Sequence, residues 1–236
     1  MKIYLFTSNI ELIKELELIG LDGVLHTYSA NHDSAFLSII KQMPETNIKH
    51  MVAVRPYNIS PQLLSQIGKT FNNLFCKNIL QINFVTGWTK EEEKDCGGIV
   101  GPVNDSSERA EKSKYLQEYI HVLESMDHHG LDYYVSITNN FAFDVAAKYN
   151  SKMIIDYSHF EENRYDIKNK KVMVMMPHTA SDGSLFSHEE LFSRMEALSI
   201  NGVQEVIFPG GDQGAIDHTI GFIKKYNNIP ESTMVK

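Results

Sequence analysis

Short runs rich in Val, Ile and Tyr recur along the whole chain, separated by segments whose apolar residues return every three or four positions. The first pattern reads as strand and the second as helix with one buried face. Strands are predicted over Lys2–Thr7, Gly23–Thr27, His50–Arg55, Ile79–Val85, Tyr133–Ile137, Met153–Tyr157, Lys171–Met176 and Glu205–Phe208. Helices are predicted over Ile10–Ile19, Ser34–Gln42, Pro61–Asn72, Ser107–Ser125, Phe141–Tyr149, Ser187–Ser199 and Ala215–Tyr226. In Ile10–Ile19, the residues Leu12, Ile13, Leu16 and Ile19 share a face, and Gly20 supplies a stop. Ser60-Pro61 and Ser187-His188-Glu189-Glu190 are N-terminal signals, the second a capping box in which Glu190 returns to the Ser187 amide. Strand and helix in alternation specify an α/β fold with a parallel sheet, and about eight such strands close into a (β/α)8 TIM barrel.

Two connections are short: only a loop and one helix separate the last two strands, and the connection after the sixth strand departs further from the pattern. The stretch HFEENRYDIKNK between Ser158 and Lys170 carries too many charges and too little apolar periodicity for a full packed helix. A compact barrel with shortened insertions and a thin outer wall follows, and bare strand flanks need a cover, which a homodimer would provide.

The 236 residues, 42% of them hydrophobic, suffice for one sizeable core, so a single domain over 1–236 is expected. A net charge of -8 and a pI near 5.7 oppose a nucleic-acid surface, which needs clustered Lys and Arg. The N-terminal apolar run is interrupted by Ser8, Asn9 and Glu11, and no run approaches a membrane span. A cytoplasmic protein with no membrane partner is the expectation. Cys76 and Cys96, the two cysteines, read as free thiols.

Candidate chemistry collects where strands end, the rim at which parallel α/β folds place ligands. Arg55-Pro56 closes one strand. Asn83 sits in an apolar strand with Val85 on its own face, and a buried amide without a partner costs about 1–3 kcal/mol. Asn83 therefore contacts a ligand or joins a side-chain network inside the barrel. Thr138, Asn139 and Asn140 can cap the next helix or present amides to an anion. Gly210 and Gly211, after the last strand, form a competing phosphate site or a plain turn. The ten histidines show no ligand spacing, so no metal is expected.

By order and spacing, several blocks resemble the luciferase-like flavin monooxygenases, most closely the alkanesulfonate monooxygenase branch. These are GLDGVLHTYSANHDSAFLSI, MVAVRPYNISPQLLSQIGKTFNNL, NILQINFVTG, NDSSERAEKSKYLQEYIHVL, LDYYVSITNNFAFDVAAKYN, KKVMVMMPH and INGVQEVIFPGG. The resemblance implies a luciferase-like barrel that holds reduced flavin mononucleotide (FMNH2) at its C-terminal mouth. It further implies a two-component monooxygenase, in which dioxygen reacts through a flavin C4a-peroxide on a small organic or carrier-tethered substrate. A separate NAD(P)H-dependent flavin reductase would supply the FMNH2.

Residue by residue, the resemblance implies a non-prolyl cis peptide at Ala53-Val54 against the flavin ring. It implies flavin-edge contacts from Asn83 and Thr86, a phosphate turn at Thr138, Asn139 and Asn140, and a reacting-edge imidazole at His178. Arg55, Tyr157 and His32 are implied near substrate, Tyr157 also beside the cofactor. Several family features are replaced: an arginine by Met176, a tyrosine by Ala110, the glycines of the phosphate turn, and a lid before the final helix. These departures leave two alternatives, a non-catalytic flavin-binding barrel and an oxidoreductase using the deazaflavin F420.

Overall fold

In the computed structural model, eight parallel strands form a closed barrel in chain order, with the first hydrogen-bonded to the last. The structure describes residues 1–7, 9–26, 46–56, 59–75, 80–85, 106–126, 131–180, 182–210 and 213–228. The strands are β1 (Lys2–Phe6), β2 (Gly23–His26), β3 (Lys49–Val54), β4 (Leu80–Phe84), β5 (Asp132–Ser136), β6 (Lys152–Asp156), β7 (Val172–Met175) and β8 (Glu205–Phe208). The described helices are α1 (Ile10–Leu18), α2 (Pro61–Phe75), α3 (Ser106–Ser125), α4 (Asn140–Lys148), α5 (Tyr157–Glu161), α6 (His188–Ile200) and α7 (Gln213–Tyr226). The helix expected over Ser34–Gln42 and both cysteines lie outside the described residues.

Local chemistry sets the element ends. Ser60 Oγ accepts from the Leu63 amide at the start of α2, and Ser187 with Glu190 forms the expected capping box on α6. Gly20 ends α1 at φ +84, a left-handed position that favours glycine. The charged stretch after β6 yields only the five-residue α5 followed by turns through Asn163 and Asn169, at φ 49 and 63. The outer wall is thin there, as its missing periodicity predicts.

Alternation along each strand produces two cores. Ile3, Leu5, Val24, Val52, Val54, Ile82, Phe84, Val135, Met153, Ile155, Val174, Val206 and Phe208 face outward beneath the helices. Tyr4, Leu25, Met51, Tyr134, Ile154, Met173 and Ile207 fill the barrel, with Phe6, Ala53 and Met175 stacked against them. Gly23 is required by this interior: a Cβ there would meet the Tyr4 ring at 2.4 Å. β4 sends polar side chains into the same space, Gln81 and Asn83, which are 2% and 3% exposed.

The N-terminal end of the barrel is closed by a polar network. Tyr134 donates to Glu205 Oε2 at 2.7 Å, while Gln81 Nε2 and Lys152 Nζ donate to Asp132 Oδ2 at 2.8 and 2.6 Å. Among the described residues no helix is long and apolar enough to cross a membrane.

Candidate functional site

At the opposite, C-terminal rim, the last inward positions of six strands are Phe6, Ala53, Asn83, Ser136, Asp156 and Met175. Strand register brings the polar ones together. Ala53 pairs with Asn83, and Asn83 with Tyr134, two residues before Ser136. Ser136 Oγ donates to Asn83 Oδ1 at 2.9 Å, so a hydroxyl and an amide form one edge. Phe6, Ala53 and Met175, each partly buried, make an apolar floor over the interior cluster. Arg55 follows β3 directly, two residues after inward-facing Ala53, and is only 5% exposed, so a guanidinium is held out of water at this end.

Two residues beyond Ser136, the chain enters α4. Asn139 Oδ1 accepts from the Ala142 amide at 2.9 Å, and Asn139 Nδ2 donates to Thr138 Oγ1 at 3.3 Å. Asn139 is thus a helix cap, while Thr138 and Asn140 are exposed at the positive end of the helix dipole. Gly210 lies against β1: a Cβ there would stand 2.8 Å from the Phe6 carbonyl, so its missing side chain serves the close approach of the β8 exit to the barrel rim.

Three expected positions differ in the structure. No cis peptide bond occurs among the described residues, so the Ala53–Val54 bond is trans. The cause is register: Ala53 and Val54 pair without interruption with Asn83 and Phe84, leaving no bulge. His178 is placed behind the rim. Its Nε2 donates to the Pro209 carbonyl, its Nδ1 lies 3.0 Å from the Thr219 hydroxyl on α7, and its ring stacks on outward-facing Phe208. Tyr157 also faces outward, buried at the start of α5 with Arg194 of α6 4.5 Å from its ring centre. Parity carries the signal in both cases. His178 follows Val174 and Met176, and Tyr157 follows Met153 and Ile155, all members of the outer core.

The same parity would have found Ser136, Phe6 and Met175, which share faces with Tyr134, Tyr4 and Met173. His32, Thr86 and Gly211 lie outside the described residues.

Burial, reinforced for His50 by the neighbouring His26, lowers these two imidazoles to about 4 (His26) and about 3 (His50), and they stack on the outer side of β2 and β3. Within the barrel, burial and then the Glu205 carboxylate push the Tyr134 phenol far above its usual range.

No family model matches the chain, and no curated protein is similar to it in sequence. Solved structures resemble it in fold. The crystal structure of apo-MsnO8 has a TM-score of 0.67 at 10% identity, covering 97% of this chain and 99% of that one. The coenzyme F420 dependent tetrahydromethanopterin reductase from Methanopyrus kandleri has a TM-score of 0.64 at 11% identity, covering 96% and 98%. The EDTA monooxygenase of Chelativorans sp. BNC1 gives 0.54 at 9% identity, covering 85% of this chain and 66% of that one. A GH18 chitinase also shares the fold, so these likenesses establish the closed barrel and leave the chemistry to the residues at its rim.

Proposed function

We propose that this barrel is a flavin-type oxidoreductase, in its specific form a monooxygenase using reduced FMN supplied by a separate NAD(P)H-dependent reductase. The observation that carries the reading is the rim itself: an apolar floor, the Ser136–Asn83 polar edge and the buried Arg55 at one end of the barrel. These residues fit a planar heteroaromatic ring with an anionic tail. Phe6, Ala53 and Met175 would support the ring, Asn83 would address its heteroatom edge, and Arg55 with the α4 N-terminus would attract the phosphate. Two of the similar barrels, one an F420-dependent reductase and the other a monooxygenase, support the same class.

The bound flavin would supply the redox chemistry, oxygen activation with FMN or hydride transfer with F420. The chain's own work is to bind, orient and keep water from the ring, and the apolar floor serves the last of these. His178 fixes the Pro209 turn and α7 through its two nitrogens, which supports a positioning role. That same placement favours a second reading, a flavin-binding barrel without turnover, because it sets the imidazole outside the rim.

Anaerobic titration with FMNH2, and in parallel with reduced F420, tests the proposal. Saturable quenching by one of them, abolished in Arg55→Met and Asn83→Leu variants that keep their circular dichroism, is the expected result. Absence of saturable binding for either cofactor overturns it. Reoxidation of bound FMNH2 in air at the rate of the free compound selects the binding-only reading.

A further inference from the structure

Four lysines gather at the N-terminal end of the barrel, opposite the rim described above. A cavity of about 380 Å³ opens there, lined among others by Lys2, Lys152, Lys170, Lys171, Gln204 and Glu205. Lys49, at the start of β3, lies outside this lining but within electrostatic reach of Lys2 and Lys152. Burial holds its ammonium below the usual range; nearby Lys152 and Lys2 push it further down, while Asp132 and Glu205 oppose them.

Two carboxylates balance part of this charge. Glu205 lies 3.1 Å from Lys2 Nζ and Asp132 lies 2.6 Å from Lys152 Nζ, and both also accept hydrogen bonds from the barrel interior. Lys170 and Lys171 have no ion pair among the described residues. Four ammoniums therefore line one concavity beside a single lining carboxylate, Glu205, in a chain whose net charge is -8. A surplus of one sign in a concave, partly desolvated site focuses the field and draws a counter-charge.

We propose that this cavity binds a small multivalent anion carrying a pyrophosphate-type group. Lysine ammoniums are compact point charges with rotatable donors, suited to phosphate oxygens arrayed in three dimensions, whereas the planar fork of arginine suits a carboxylate. The volume admits a diphosphate, free or as the tail of a nucleotide, and is too small for a folded partner. Occupation would relieve the repulsion among Lys2, Lys152, Lys170 and Lys171 and tie the β1, β6 and β8 entries to the 170–171 turn.

Isothermal titration of the full chain with pyrophosphate, ADP and citrate tests this. One-site saturable binding of pyrophosphate at low salt is expected, weakened at least about tenfold near 0.3 M salt because the contacts are screened. The Lys170→Glu/Lys171→Glu double variant should weaken it by about tenfold or more while leaving flavin binding unchanged. Lys171→Glu alone, at an exposed side chain, serves if the double variant loses its fold. ADP binding as tightly as pyrophosphate assigns the nucleotide tail, and pyrophosphate alone assigns the free ion. Citrate binding equally well, no saturable heat, undiminished binding in the lysine variants, or loss of binding in Arg55→Met overturns the proposal.

Discussion

The Ser136 hydroxyl donates to the side-chain carbonyl of Asn83 across 2.9 Å, joining β5 to β4 at the last inward position of each. With Oδ1 occupied, the amide presents Nδ2 as donor to whatever enters the rim. Ser136→Ala leaves a buried acceptor unpaired, so a stability loss of about 1–3 kcal/mol in urea unfolding is expected. The freed amide can also turn, so cofactor affinity should fall about three- to tenfold, the equivalent of one neutral hydrogen bond. Asn83→Asp should bind worse than Ser136→Ala, because it replaces a donor by an acceptor of negative charge.

His178 offers a second separation of roles. Its bonds to Pro209 and the Thr219 hydroxyl link the β7 and β8 exits to α7. His178→Ala removes those bonds and opens space beside Phe208, so a loss of about 2–4 kcal/mol and a lower unfolding midpoint are expected. The pH profile of any flavin-dependent turnover should stay in place in the surviving folded fraction. A lost acidic or basic limb in that profile would return the imidazole to the reaction.

The barrel was legible because its signals are local and repeated. Each strand is a short, largely apolar run holding at least one Val or Ile, and several helices carry a cap or stop, from Ser187 with Glu190 to Gly20. Which face of each strand points inward was equally written in the alternation, which sets Asn83 on one face with Gln81. Carrying the same count past the strand ends would have turned His178 and Tyr157 outward with Met176 and Ile155. The Ser136–Asn83 bond could not be read so directly, since it joins residues 53 apart and depends on the β4–β5 register. Register follows from packing the whole ring, not from any one segment. The lysine cluster was hidden for the same reason: Lys2 starts β1, Lys152 starts β6, and Lys170 and Lys171 precede β7.

Tyr134 and Glu205 test the closed end of the barrel. The phenol sits above its usual range, by burial first and then by the Glu205 carboxylate, so it remains a donor at every accessible pH. Tyr134→Phe keeps the ring packed among Tyr4, Met51 and Ile154 but removes a bond to an ionised acceptor. A cost of about 1.5–3 kcal/mol follows. Glu205 retains Lys2, so Tyr134→Phe combined with Lys2→Ala should exceed the sum of the single changes in a double-mutant cycle.

The His26–His50 pair should make the fold acid-labile. Their rings stack at 5.5 Å, His26 Nε2 lies 3.2 Å from His50 Nδ1, and the Thr46 hydroxyl is 3.0 Å from His50 Nε2. Burial, with mutual repulsion at His50, keeps both neutral until about pH 4 for His26 and about 3 for His50, whereas an unfolded histidine titrates near 6.5. Between those limits the unfolded chain binds more protons than the folded one. Stability is therefore fully present above about pH 6.5 and falls as the pH drops toward 4, each imidazole contributing up to about 1.4 kcal/mol per pH unit. Urea midpoints measured at pH 7.5, 6.0 and 5.0 should fall in that order. His50→Gln retains a hydrogen-bonding side chain without a titrating proton, so its midpoints should fall less steeply over the same range. Parallel slopes for the variant and the parent chain would show that this buried pair does not set the acid response.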